Sequence, residues 1–228
     1  MAPLFTEISG RRGLIKARKP FERSLRRVRG VLALHPSLHG TRGRPRQHVS
    51  DVLRGALVLA VGALDGLVLE AVLETVPTLA RKHALGPTMG KWIKEDPERF
   101  LTALASPDPY DALGLIAREH LSPVTFQRAQ MIEGVLDDVS ACAAPWERAA
   151  KRLTKSGGTW TPDDVKTSLD GFVKRRHAIA HSGDLVEGRR AQPITLGYVR
   201  EATRVIEAAG LGVCEVVEAR LRVVRRLP

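Results

Sequence analysis

The stretch from Val52 to Val76 sets the tightest limit on how this 228-residue chain can fold. Leu53, Leu57, Val61, Leu64, Val68, Ala71 and Val72 recur at helical spacing, and the faces between them are also largely apolar. A helix that is apolar on nearly every side is stable only when other elements cover it, so it belongs at the centre of a helical bundle. Arg54, Asp65, Glu70 and Glu74 interrupt the stretch, at a frequency that argues for a buried helix and against a membrane span. Asp65 stands out, because a carboxylate on such a helix is costly to bury unless a partner meets it. It either orients an arginine or histidine elsewhere in the fold or pairs with Arg54, eleven positions earlier and near the same face.

The remaining chain also reads as helices, so the expected class is all-α, an antiparallel helical bundle with a basic N-terminal extension. Aromatic residues make up only 4% of the sequence, which leaves the core to Leu, Val, Ala and Ile. Phe21, Leu25, Val28 and Leu32 define one face of a short basic helix from Phe21 to Leu34, and His35–Gln47 reads as a loop. Pro77 should end or bend the central helix. Asp96–Pro97, Asp108–Pro109, Ser122–Pro123 and Pro145 read as helix starts, the third running to about Ala141. Thr161-Pro162-Asp163-Asp164 is the strongest start signal, with an N-cap, a proline in the first turn and two acids at the positive end of the dipole. That helix should reach His181 or Ser182, bury Leu169, Phe172, Val173 and Ile179, and stop at Gly183. A polar loop follows to Gln192, then a last pair of helical segments broken near Gly210–Gly212, with no convincing strand pair.

Charge is unevenly placed. Residues 1–46 hold twelve Lys or Arg against two acids, nearly all of the net +11. This suits a polyanion such as nucleic acid, with Arg26 and Arg27 as candidate contacts, or else a solvated tail. The organisation expected is an extension over 1–43, partly flexible, followed by one helical domain over 44–228. Cys142 and Cys214 lie outside any metal-ligand spacing and read as buried thiols of a reducing compartment. Without a signal-peptide pattern at the start, the expected location is the cytoplasm. Trp92, Trp146 and Trp160 read as packing residues more readily than as stacking platforms for bases.

The chemistry-bearing segment is Lys174-Arg175-Arg176-His177-Ala178-Ile179-Ala180-His181-Ser182-Gly183. His177 and His181 share a helix face. Arg176 and His181 are about 7.5 Å apart along the axis and about 140° around it, a gap that a long arginine side chain can bridge. A guanidinium gripping a phosphate and an imidazole moving a proton suffice for phosphodiester cleavage when the attacking group is the RNA's own 2′-hydroxyl. The same residues have blander readings: cations at the negative end of a helix dipole, or a metal-binding His-x-x-x-His. The latter lacks the glutamate that usually follows the first histidine in zinc hydrolases, since Ala178 stands there.

Arg176-His177-Ala178-Ile179-Ala180-His181, an arginine, a polar residue, three residues and a histidine, resembles the motif of the HEPN ribonucleases. Gly171 to Arg175, Ser182–Gly183 and the Asp51–Asp65 helix are similar to the RiboL-PSP branch of that family, and the likeness spans about residues 44–210. The resemblance implies an antiparallel bundle that dimerises, with two motifs facing one cleft. It implies metal-free endonucleolytic cleavage to a 2′,3′-cyclic phosphate and a 5′-hydroxyl, with no cofactor. Arg176 would neutralise the phosphate and His181 would act as general acid or base. His177 would occupy the polar position, where Asn or Asp is commoner in the family. Lys174 and Arg175 would contact RNA, and Asp65 and Arg54 would support the site. The implied setting is a toxin or phage-defence system, with RNA, a second copy and an antitoxin or defence protein as partners. A non-catalytic module of the same shape, binding RNA or protein, is the alternative, and a regulatory helical dimer without nucleic acid is a third.

Overall fold

The computed structural model describes residues 15–39, 47–86, 96–139, 144–186 and 190–227. Among them the chain is all-α: α1 (Arg18–His39), α2 (Gln47–Arg81), α3 (Pro97–Leu104), α4 (Pro109–Leu121), α5 (Ala129–Val139), α6 (Pro145–Lys155), α7 (Pro162–Ser182) and α8 (Leu196–Arg225). One short antiparallel pair, β1 (Leu185–Val186) with β2 (Arg190–Ala191), sits in the loop between α7 and α8, in register Leu185 to Ala191.

α2 is the central helix, packed by α1, α4, α5, α7 and α8. Leu53, Leu57, Val61, Leu64, Val68, Ala71 and Val72 are all buried. α2 is long and apolar enough to cross a bilayer, yet 56% of its apolar window is covered by the protein itself. The helix passes through Pro77 to Arg81 without ending. Val76, Leu79 and Ala80 on either side of the proline are buried, and their packing holds the last turns in place.

α1 is longer than its sequence pattern predicts, because its first turn is capped by a residue far away in the chain. The Lys16 and Ala17 N–H groups donate to the two carboxylate oxygens of Glu74 on α2, at 2.6 and 2.7 Å. Phe21, Leu25, Val28 and Leu32 are buried in the same core as α2, so the described part of the N-terminal basic segment is a helix of the bundle and not an appendage. At its other end the helix continues through the expected loop to His39, and residues 40–46 lie outside the described part.

Two starts behave as expected: Asp96 accepts from the Arg99 N–H and Asp108 from the Asp111 N–H, each followed by a proline. Ser122–Pro123 does not start a helix. Ser122 closes α4 instead, its hydroxyl donating to the Arg118 carbonyl at 2.6 Å. α5 begins only at Ala129, whose N–H is capped by Asp170 of α7 at 3.0 Å.

The break expected at Gly210–Gly212 is absent, and α8 runs unbroken. These glycines mark close approaches: a Cβ on Gly210 would lie 2.4 Å from the Phe21 ring, and one on Gly212 would lie 2.3 Å from the Pro145 carbonyl oxygen. Cys214 is buried beside them and burial pushes its thiol up to about 12, while Cys142 and Trp92 lie outside the described residues. Trp146 is buried and donates to Glu133 at 2.7 Å, and Trp160 is half-buried with the Arg204 guanidinium over its ring.

Gly212→Ala should therefore destabilise the fold by about 1–3 kcal/mol, because the obstacle is backbone. Gly30→Ala, with open space around the new methyl group, should leave stability unchanged or raise it by up to ~1 kcal/mol. Urea unfolding of the two variants measures both; equal effects would contradict the packing described.

Candidate active site

α7 is built to hold its C-terminal turns still. Thr161 and Asp164 form a reciprocal capping box at its start, and Val165, Leu169, Phe172 and Val173 bury one face. At the other end Gly183 takes a left-handed conformation (φ 61°), and so does Asp184 (φ 64°). For a side-chain-bearing residue that conformation is uncommon, although aspartate tolerates it better than most.

The turn brings Asp184 inward, where it is 2% exposed. Its Oδ2 accepts from Arg54 Nε of α2 at 2.9 Å and from Arg175 Nη2 of α7 at 2.7 Å. Both guanidiniums also donate to the Gln192 carbonyl, at 2.7 and 2.9 Å, and Arg175 donates to the Pro193 carbonyl as well. Arg54 further pairs with Asp51 at 3.1 Å. These contacts correct two expectations. Arg54 does not pair with Asp65, and Arg175 is committed to Asp184 and the following loop, which leaves it poorly placed to hold RNA. Asp184 itself gave no signal beyond a polar loop.

One turn back lie the histidines. The His177 and His181 ring centroids are 6.0 Å apart with the rings nearly perpendicular, His177 half-buried and His181 exposed. Arg176 is half-buried, and its Nε has no hydrogen-bond partner among the described residues. The His177 Nε2 meets the Gln127 Oε1 at 3.2 Å. Gln127 is buried, and its amide nitrogen donates to Asp65 Oδ2 at 2.9 Å, while Asp65 Oδ1 accepts from the Phe126 N–H at 2.6 Å. Of the readings open for Asp65, the structure selects orientation of a histidine, and the orienting group is relayed through Gln127.

Burial lowers the His177 pKa below the ordinary imidazole value of 6.5, and the nearby charges of Arg176, Arg128 and His181 push in the same direction. Arg128 and Gln127 were invisible as site residues in the sequence, because they precede α5 in a segment whose path is set by Asp65. Among the described residues, Arg128, Arg176, His177 and His181 form no ion pair with a carboxylate. Lys174 is exposed on the same helix. Arg26 and Arg27 are exposed on α1, which packs on α2 and α8, whereas α7 packs on α2, α5, α6 and α8.

Beside the site, a groove of ≈470 Å³ separates α2 from α7, lined by Gly55, Val58, Leu59, Ile179 and Gly183 with Asp51 and Arg54 at its end. Ile179, expected in the core, lines this groove half-buried. Among the described residues no group of three or more His, Cys, Asp or Glu side chains is placed to hold a metal ion, so His177 and His181 have no third donor. Comparison with protein-family models, with curated proteins and with solved structures finds no match to this chain.

Two outcomes follow from this geometry. In a ¹⁵N-detected titration His177 should lose its proton below pH 6.5, and Arg128→Ala should move that midpoint up. Because the folded chain takes this proton later than the unfolded chain, the contribution is present above the unfolded value and is lost as pH falls through the folded one. A midpoint above the ordinary value would contradict the crowding of positive charge. Separately, Asp184→Ala strands two guanidiniums and should cost about 3–5 kcal/mol in urea unfolding; a loss below about 1 kcal/mol would mean the pair is solvated, as at a surface.

Proposed function

We propose that this chain is a metal-independent RNA endonuclease of the HEPN type. The observation that carries the reading is that the charges of Arg176, Arg128 and His181 all bear on His177, and that among the described residues none of the four pairs with a carboxylate. Such a cluster favours a bound anion, and a phosphodiester is the anion on which an imidazole has work to do. Arg176, half-buried on α7, holds the phosphate. His181 transfers protons from its exposed position. The 2′-hydroxyl attacks phosphorus, leaving a 2′,3′-cyclic phosphate and a 5′-hydroxyl, so no protein nucleophile is required.

The basic outer face of α1, with Lys19, Arg23, Arg26 and Arg27 exposed, supplies sequence-independent attraction for the RNA backbone, joined by Lys174 on α7. The working form is a homodimer in which two motif helices border one RNA cleft, acting in the cytoplasm in a toxin or phage-defence setting, under control of an antitoxin or another defence protein. A non-catalytic RNA-binding module is the competing reading, favoured by the fact that the α1 stripe is separate from α7.

Purified protein incubated with RNA in EDTA separates the two. Cleavage by the wild type should fall by about 10²–10⁴-fold in His181→Ala and steeply in Arg176→Ala. Neutralising Arg26 and Arg27 should weaken binding and flatten its salt dependence without changing the cut sites. Binding without cleavage, unaffected by Arg176→Ala, would establish the non-catalytic reading.

A further inference from the structure

We infer that each protomer carries a complete acid–base pair, with His177, oriented by Gln127 and Asp65, as the base and His181 as the acid. This rests on the nuclease reading above and adds to it that proton removal and proton delivery come from the same chain.

Asp65 fixes the orientation of the groups behind His177. A carboxylate only accepts hydrogen bonds, so the Gln127 group facing its Oδ2 at 2.9 Å must be the amide nitrogen. The second Asp65 oxygen is held by the Phe126 N–H, which fixes the carboxylate in turn. The Gln127 amide is thereby locked with its oxygen toward His177. That oxygen also only accepts, so the His177 Nε2 at 3.2 Å must carry the ring proton. In the neutral ring, Nδ1 then bears the lone pair and is the atom that takes a proton.

The charged groups facing His177 are Arg176 and His181 on its own helix and Arg128 from the segment before α5. Asp65 on α2 stands behind Gln127, and both its oxygens are already engaged. The surroundings thus disfavour a charged His177 ring before reaction, as a base requires. Once a phosphodiester is bound, its negative charge offsets the two guanidiniums and makes the protonated ring easier to form.

His181 lies one turn further on, its ring centroid 6.0 Å away and its plane perpendicular. The attacking 2′-oxygen and leaving 5′-oxygen lie on opposite sides of phosphorus, so base and acid must stand on either side of one phosphate. Two imidazoles at this separation can flank it. The exposure of His181 lets it regain a proton from water after each turnover. In the step itself, His177 Nδ1 takes the 2′-hydroxyl proton, the 2′-O–P bond forms, the P–O5′ bond breaks, and His181 gives its proton to the 5′-oxygen. The transesterification is isomeric and needs no co-reactant. Exchange with water returns both rings to their starting states.

Subunit mixing tests the inference. His177→Ala and His181→Ala, each expected to be at least about 100-fold impaired, are combined under conditions that exchange subunits. No protomer in the mixture then holds both imidazoles, and activity should stay at the level of the single variants. If base and acid came from opposite protomers, the mixed dimer would contain one intact site, and recovery of about a quarter of wild-type activity would overturn the inference. ¹⁵N chemical shifts of wild-type His177 provide a second readout: a neutral ring protonated at Nε2 is expected, and protonation at Nδ1 would overturn the orientation argued here. Wild-type protein that cuts no RNA would sink the nuclease reading itself. An active wild type with recovery on mixing would sink only the placement of the pair.

Discussion

The carboxylate of Asp184 sits almost fully buried between two guanidiniums, Arg54 from the central helix and Arg175 from α7. Everything at the candidate site hangs from this contact, because it sets the end of α7 against α2. An isolated buried charge in this position would be untenable; the two arginines are balanced by Asp184 between them and by Asp51, which pairs with Arg54 from the solvent side. Loop carbonyls at Gln192 and Pro193 accept from Arg54 Nη2 and Arg175 Nη2. Stability and site geometry are therefore coupled here: the histidines stand one turn before a stop that charge pairing holds in place.

A second anchoring acts from the other side of α7. Asp170 caps α5, and Asp65 grips the segment before it through Phe126 and Gln127. His177 is thus tied through Gln127 to the central helix α2, while His181 remains open to solvent. The two imidazoles differ in surroundings although they share a helix face. That difference is what permits different protonation roles within one turn.

Local signals carried the elements whose partners are near in sequence. The capping box at Thr161–Asp164, the proline starts at Asp96 and Asp108, and the all-round apolar pattern of α2 each encode their structure within a few residues. Local patterns do not reveal the elements where a distant residue does the work. Glu74 caps α1 from across the bundle, Asp170 supplies the cap for α5 that Ser122 was expected to provide, and Pro145 fills the space left by Gly212. The site divides in the same way. Arg176, His177 and His181 lie within six consecutive residues and are legible from helical spacing together with the motif resemblance, whereas Gln127, Arg128 and Asp184 reach the site through tertiary contacts with no sequence period. Arg175 reads as an RNA ligand in the sequence because its engagement with Asp184 and the following loop cannot be read from its charge.

The central claim is that a guanidinium and two imidazoles drive cleavage by the RNA's own 2′-hydroxyl. Its most direct test is an oligoribonucleotide carrying a single 2′-deoxy residue at the mapped cut position, incubated in EDTA beside the all-ribose strand, with the product ends read by mass spectrometry. The account predicts that the all-ribose strand is cut to a 2′,3′-cyclic phosphate and a 5′-hydroxyl while the substituted strand stays intact at that position. Cleavage at the deoxy position, or products bearing a 5′-phosphate, would contradict it.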